Sequence, residues 1–418
     1  MVIRGRLLGT RRQQGRVVPR VDGERGEGSD PASRLSNRIS VRVLVDDQVF
    51  LLQRRGGISR YFVELLREFA APDVGVRAVT PYGIVRNQHL VDAFPAIYRG
   101  VPELLDRPVR RLSRSSVVRR LVARGLRMTS RHHDANRTPV DVVHHTYYAA
   151  DAGNPPTGAK RVCTVHDMIP ELMPDAFPRG NPHEDKHRYV TEVDGVICVS
   201  ETTRRDMERC YGRLEKPIAV IHLGVAPEFS AAAGGVSLLP WPYVLFVGQR
   251  KGYKNAKVLL RAWPAVVESL PELRLVMVGG GRFSSAELDL LAGLGVQDSV
   301  IRLEASDAEI PRLYASAQAF VFTSRYEGFG LPVLEAFAAG TPAVLAETDC
   351  LREVGGEAGS YFDPDDPAEL ASLLIRLITD EAARTRIVEA ARSRAAEFSW
   401  RRTAQETAQF YRRVIEGK

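Results

Sequence analysis

Short apolar runs, each closed by glycine, proline or a charged residue, recur along the chain from residue 41 onward. The first, VRVLVD at 41–46, lacks the alternation of a strand with one wet face, so it predicts a buried parallel strand. A loop follows, then a helix over about residues 58–69. Further strand-like runs fall at 140–144, 162–165, 196–199 and 218–221, with helical stretches between several of them. A second series lies at 243–247, 273–278, 299–303, 320–323 and 343–346. Strands alternating with helices argue for parallel sheets covered on both faces. Two successive series without a sustained repeat predict an α/β chain of two doubly wound, Rossmann-like lobes facing each other across a cleft. Ligands of such sheets bind beyond the carboxyl ends of the strands.

Boundaries follow from composition. Residues 1–40 hold nine arginines against four acids with no periodicity, so 1–39 reads as a disordered basic tail. The first lobe is expected over 40–225, a linker containing AAAGG over 226–239, and the second lobe over 240–397. The stretch 398–418 is expected to form a final helix, from about 400 to 415.

The densest chemistry lies in TSRYEGFGLPVLEAFAAGTPAV, residues 323–344. AFVFTS at 319–324 reads as a buried strand, and 331–339 as a helix with Pro332 in its first turn, where a missing N–H costs nothing. Strand, glycine turn and helix start together offer backbone N–H groups and a favourable dipole to an anion such as phosphate. Glu327 stands just before that helix and Glu335 about one turn into it, so the two carboxylates flank the anion position. Carboxylates accept well from vicinal hydroxyls, and a ligand with diols on either side of a phosphate is a nucleotide sugar.

This segment resembles the E-x7-E signature of the retaining glycosyltransferases of family 4, which have the GT-B fold; the resemblance covers roughly residue 40 to the C-terminus. It implies that Glu335 takes the donor's ribose hydroxyls and that Glu327 acts on hydroxyls of the transferred sugar. It also implies that the N–H groups of Gly328, Phe329, Gly330 and Leu331 face the phosphates or sugar. In GQRKGYKN, residues 248–255, the family's phosphate-binding Arg and Lys match Arg250 and Lys254. The loop departs from the usual Arg-Lys-Asn ending, and Lys251 competes with Arg250 for the first role. Two cations there suit a diphosphate leaving group, whose charge grows as the glycosidic bond breaks. In QRRGGISRYF, residues 53–62, Gly56 and Gly57 form either a tight turn or, by resemblance, a loop in which Gly57 approaches the diphosphate. His166, in VCTVHDMIP, ends a strand, and the resemblance puts it beside the transferred sugar as a catalytic residue; the neighbouring Asp167 reads instead as a residue that orients the loop. His144 and His145 end another strand and are acceptor-side candidates.

The resemblance further implies retention of anomeric configuration by front-face displacement and a final helix that packs back on the first lobe, while closure of the lobes around the donor is expected because each lobe holds half the site. DQVFLLQRRGGISRYF is similar to mannosyltransferases of surface polysaccharide or lipid-linked glycan assembly, which makes GDP-mannose the first guess for the donor. The acceptor is then a glycan or lipid-linked hydroxyl. Two rivals are weighed. A glycan phosphorylase shares the bilobed fold but is far longer and needs a Schiff-base lysine. A silent nucleotide-sugar-binding protein would lack Glu327 or His166.

Bulk properties narrow the setting. With 418 residues, 44% hydrophobic and 26% charged, the chain has the makeup of a soluble two-domain protein. No apolar run approaches the ~18 residues of a membrane span, and the charged N-terminus does not resemble a secretory signal. None of the four cysteines forms a C-x-x-C pair, and Cys163 and Cys198 read as packing residues. A cytoplasmic protein is expected. A second basic block, 99–137, holds eleven arginines and three acids. It is either an ordinary surface helix or a patch for peripheral contact with anionic membrane or acceptor. No nucleic-acid module accompanies the charge, so no nucleic-acid partner is expected. Asp363, Asp365 and Asp366 match a D-x-D metal pattern on paper, yet they precede a helix at 368–378 and read as capping residues. Neither metal nor cofactor is expected. GGGR at 279–282 is weak support for nucleotide contact.

Overall fold

In the computed structural model, residues 40–80, 83–96, 98–100, 139–148, 158–178, 180–250 and 252–417 are described. The tail 1–39, nearly all of the basic block 99–137, and Lys251 lie outside the described residues.

The apolar runs become central strands because both of their faces are covered. In chain order they are β1 (Val41–Val45), β2 (Val76–Val79), β3 (Gly83–Val85), β4 (Tyr98–Gly100), β5 (Val142–His145), β6 (Lys160–Val165), β7 (Gly195–Cys198) and β8 (Ile218–Val220). The second series is β9 (Tyr243–Val247), β10 (Arg274–Val278), β11 (Val300–Leu303), β12 (Ala319–Phe322), β13 (Ala343–Ala346) and β14 (Ser360–Phe362). They form two six-stranded sheets, ordered β2-β1-β5-β6-β7-β8 and β11-β10-β9-β12-β13-β14, with β3 and β4 as a separate pair. Every pairing within the two large sheets is parallel, for example Val43 beside Val142 and Leu245 beside Phe320. Two parallel α/β sheets are the architecture expected from the two series of runs.

Both sheets reverse their winding direction once. In the first, the chain goes from β1 to β2 on one side and then returns to β5 on the other. In the second it runs from β9 through β10 to β11, then returns to β12 beside β9. Loops leaving the two strands at such a switch point diverge and leave a crevice at the carboxyl edge. Of the candidate residues, Lys254 follows β9 and Glu327 follows β12, the two strands at the second of these switch points.

The segment expected to be a linker, 226–239, holds a short helix, Pro227–Ala231. Proline at its start needs no N–H partner, and Phe229 anchors it in the core, edge-on to Tyr314 at 5.6 Å between ring centres. The Trp400–Glu416 helix, capped by Ser399, crosses back onto the first lobe and packs on the Gly57–Phe69 helix, β1 and β6. Its Tyr411 hydroxyl meets His144 Nδ1 at 2.7 Å, while His144 Nε2 meets Thr164 Oγ1 at 2.8 Å. His144 is thus a buried clasp under that helix. Cys163 and Cys198 are buried free thiols, and burial pushes Cys163 up to about 12. Among the described residues no helix is long and apolar enough to cross a membrane.

Candidate functional site

At the switch point of the second sheet, the loop after β9 carries Lys254 and the loop after β12 carries Glu327. Lys254 Nζ donates to Glu327 Oε1 at 2.5 Å. Two further bonds stitch the loops together: Thr323 Oγ1 to the Lys254 carbonyl at 2.7 Å, and the Arg325 N–H to the Tyr253 carbonyl at 2.8 Å. Burial alone would favour a neutral Lys254, but the carboxylate of Glu327 outweighs it and holds the ammonium above its usual range. The cation is therefore permanent at working pH.

The glycine turn after Glu327 has two positions that only glycine fits. Gly330 sits at φ +99°, a left-handed conformation that L side chains rarely adopt. At Gly328 a Cβ would lie 1.7 Å from the carbonyl oxygen of His166. Ser200 Oγ and Thr203 Oγ1 also donate to the Gly328 carbonyl, at 2.6 and 3.0 Å. The turn is therefore lodged against the first lobe, beside the loop that follows β6. The Phe329 ring packs on His222 and Phe398, with centres 5.8 and 6.0 Å away, so a ligand would meet its backbone.

The Leu331–Ala338 helix starts at Gly330, and among the described residues no side chain caps it. Its first N–H groups and dipole thus favour an anion. Glu335, one turn in, is 5% exposed and accepts from Arg60 Nη1 at 2.7 Å. Burial raises the Glu335 carboxyl above its ordinary value, and Arg60 and Tyr314 offset this only in part. The two acids flanking the helix start are each held by a cation, one from each lobe.

From the first lobe, His166 follows β6. Its ring lies edge-on to Tyr61 at 5.1 Å, and its Nε2 is buried with no hydrogen-bond partner among the described residues. Burial pulls the imidazole down to about 3, so it is neutral at working pH. The loop is pinned from behind by Lys186, which is fully buried. Its Nζ donates to the Asp167 carbonyl and to Glu171 Oε2, each at 2.8 Å. Asp167 itself accepts from the Ile169 N–H at 3.0 Å, which fits an orienting role. At the first sheet's switch point, Asp46 accepts from Thr146 Oγ1 at 2.6 Å and meets His145 Nδ1 at 2.9 Å.

The buried histidines have a consequence for stability. Burial lowers His144 and His166 to about 3 and His183 to about 4 in the folded chain, against 6.5 ordinarily. Above 6.5 they are neutral in both states and cost nothing. As pH falls below that value the unfolded chain takes up protons that the folded chain refuses, so stability is lost. The melting temperature is expected to drop already between about pH 6.5 and 5, before most carboxylates titrate. A scan flat over that window would contradict this placement of the histidines.

Not every expected residue joins the cluster. Arg250 is turned into the protein: Nε meets Glu287 Oε1 at 2.8 Å, Nη1 the Gly279 carbonyl at 2.7 Å, and Nη2 the carbonyls of Gly281 and Arg282 at 3.1 and 3.0 Å. It staples the GGGR turn, and these bonds take up four of the guanidinium's five donors. Gly57 opens the Gly57–Phe69 helix, is exposed, and has open space where a Cβ would be, without a described contact to the Lys254–Glu327 pair. Asp366 caps the Pro367–Thr379 helix by accepting from the N–H groups of Ala368 and Glu369 at 2.8 and 3.0 Å, and Asp365 pairs with Arg325. Sequence reasoning missed Arg60 and Lys186. Arg60 had a usable signal, being a cation one turn into a helix whose start faces the cleft; Lys186, in the polar run HEDKHRY, had none.

Two family models match the chain: Glycosyltransferase Family 4 over residues 55–229 and Glycosyl transferases group 1 over residues 240–394. O-antigen chain mannosyltransferase B of Escherichia coli is 27% identical over 267 residues, 60% of this chain and 70% of that protein. A D-inositol 3-phosphate glycosyltransferase of Salinispora arenicola is 28% identical over 395 residues, 86% of this chain and 88% of that protein. Sucrose-phosphate synthase from Thermosynechococcus elongatus superposes with a TM-score of 0.65 at 19% identity, covering 90% of this chain and all of that one. The Anabaena protein HepE, solved with UDP and glucose, gives 0.64 at 18% identity, covering 88% of this chain and 98% of its own. The likeness to these structures is one of fold, the GT-B arrangement.

Proposed function

This chain belongs to the family 4 and group 1 glycosyltransferases of GT-B type, and from that premise we propose that it moves a hexose from a nucleoside-diphosphate sugar to a hydroxyl of a glycan or lipid-linked acceptor, with retention of configuration. The observation that carries the reading is the start of the Leu331–Ala338 helix between Glu327 and Glu335, which no side chain of the described residues caps. The pyrophosphate sits on the N–H groups of that helix start and of the glycine turn. Glu335 accepts from the ribose diol, and Glu327 from hydroxyls of the transferred sugar. Lys254 neutralises the departing diphosphate, and His166, neutral and on the loop whose backbone abuts the same turn, hydrogen-bonds the sugar or the leaving phosphate. Gly57 borders the diphosphate from the first lobe. Arg250 supports the site at one remove, through the GGGR turn.

In the step itself the acceptor oxygen bonds to the anomeric carbon on the face from which the diphosphate leaves. The glycosidic C–O bond breaks, and the acceptor's proton passes to the departing phosphate oxygen. Lys254 is worth most as that charge develops, because the buried cation needs no reorganisation at that moment. Retention is checked by proton NMR of the first-formed product: an inverted anomeric coupling would refute the front-face route.

Mannose from GDP-mannose is the donor proposed first. The mannosyltransferase relative supports it, while the inositol-phosphate glycosyltransferases cover more of the chain and leave other sugars in play. The setting proposed is cytoplasmic assembly of cell-surface polysaccharide, with the basic block 99–137 as a peripheral membrane contact. A thermal-shift screen across GDP-, UDP- and ADP-sugars tests the donor, since a ligand that binds only the folded state raises its melting temperature. GDP-mannose is expected to give the largest rise, and a larger rise with a UDP-sugar would overturn that choice. Metal independence is proposed because a lysine and a helix start serve the phosphates. Transfer is expected to persist in excess EDTA; complete loss, restored by Mg²⁺, would reject it.

A further inference from the structure

Arg60 joins three parts of the chain at one guanidinium. It lies one turn into the Gly57–Phe69 helix of the first lobe and reaches Glu335 of the second, 275 positions away, at 2.7 Å. It also lies over the Phe229 ring of the connecting segment, 5.6 Å from the centroid. Beside it runs a 360 Å³ cavity whose wall includes His89, Asp92 and Asp307.

A carboxylate can serve two vicinal hydroxyls only while ionised, because a protonated one turns an acceptor into a donor. Glu335 is almost wholly buried, which disfavours its charge. The groups facing the pair come from every element packed on it. Arg60 and Glu64 come from the Gly57–Phe69 helix, Tyr314 from the Ile310–Ala315 helix, and Asp307 from the loop before it; His89 stands 3.8 Å from Asp307. Asp307 opposes the charge on Glu335, and Tyr314 and Arg60 favour it. His89 is held below its ordinary value, by burial first. Arg55, on the loop before the Gly57–Phe69 helix, pairs with Asp307 at 3.4 Å, and of these two permanent cations Arg60 is the one that meets Glu335 itself.

Resting on the donor-site reading above, we infer that Arg60 is a positioning residue: from the first lobe it keeps Glu335 an aimed carboxylate for the ribose diol, which ties donor recognition to the approach of the two lobes. Arg60 acts through Glu335 and need not touch the reacting atoms. Its loss therefore falls on donor affinity and its pH dependence more than on kcat.

The test uses the full chain and, as probe, whichever of GDP-mannose, UDP-glucose and ADP-glucose raises its melting temperature most. Donor affinity is followed from pH 8 to pH 5 in the unsubstituted chain, Arg60→Gln, Arg60→Lys, Glu335→Gln and the Arg60→Gln/Glu335→Gln pair. In Arg60→Gln the acid-side loss of affinity is expected to move to higher pH. Affinity should then fall about ten-fold for each unit by which pH lies below the new midpoint. Arg60→Lys keeps the charge without the planar fork and should bring the midpoint part of the way back. In Glu335→Gln the acid limb should vanish, and adding Arg60→Gln should weaken binding little further. An Arg60→Gln profile that coincides with the unsubstituted chain would overturn the inference, as would an equal penalty in the Glu335→Gln background. Should Arg60→Gln fail to fold, Arg60→Lys and Glu335→Gln still decide through the midpoint. If no nucleotide sugar binds the unsubstituted chain, the donor-site reading fails, and the role of Arg60 with it.

Discussion

Glu327→Gln and Glu335→Gln should each lower kcat/KM for transfer roughly 100-fold or more while the chain stays folded. The sizes rest on different losses. Glu335→Gln removes the charge that accepts a diol, where hydrogen bonds to charged groups are worth about 1.5–3 kcal/mol each. Its effect should fall mainly on KM for the donor. Glu327→Gln also strips Lys254 of its partner, leaving an ammonium that is largely buried. Some loss of melting temperature should therefore accompany it, because a buried charge without its partner is costly. Steady-state kinetics alongside thermal melts separate the two. Unchanged turnover in both variants would reject the site.

A single methyl group at Gly328 should be nearly as damaging. The added Cβ would meet the His166 carbonyl oxygen at 1.7 Å and the Asp167 Cα at 3.0 Å, both backbone atoms of a loop that Lys186 pins at the Asp167 carbonyl. Neither neighbour is the loose end of a side chain, so the glycine turn and the His166 loop must separate. Displacements of about 1 Å in a positioned site cost on the order of 100-fold in rate. Gly328→Ala is expected to lose that much kcat together with about 1–3 kcal/mol of stability. Gly293→Ala is the matched control: it ends the Ser285–Gly293 helix, is exposed, and has nothing within 4 Å of the new methyl group. Equal activity of the two variants would mean that the turn and the loop do not need this contact.

What the sequence made legible was the interior. Strands β9 and β13 coincide with apolar runs at both ends, because a strand covered on both faces leaves no polar residue to blur its limits. Strands β2 and β14 sit at the sheet edges, half wet, and VRAV and SYF carry too little pattern to be read. The chemistry was legible where it is local in sequence. Glu327, the glycine turn and Glu335 lie within one strand–turn–helix unit, and their spacing states their purpose. Long-range partners were not. Arg250 and Lys254 look alike four positions apart, yet one is bound by Glu287 and three carbonyls while the other reaches Glu327. His144 and His166 both end strands, and what sets them apart is the final helix, whose Tyr411 covers the first. Arg60 had a position that hinted at the cleft, but its partner Glu335 lies 275 positions away and the sequence does not pair them.

The account stands most directly on where the donor's phosphates lie, and a crystal structure of the chain with its bound nucleotide sugar measures that. The expected result is phosphate oxygens within about 3 Å of the Gly330 and Leu331 N–H groups. The ribose hydroxyls should lie on Glu335 and the sugar hydroxyls beside Glu327. A nucleotide seated elsewhere in the cleft, with the start of the Leu331–Ala338 helix touching no phosphate, would contradict it.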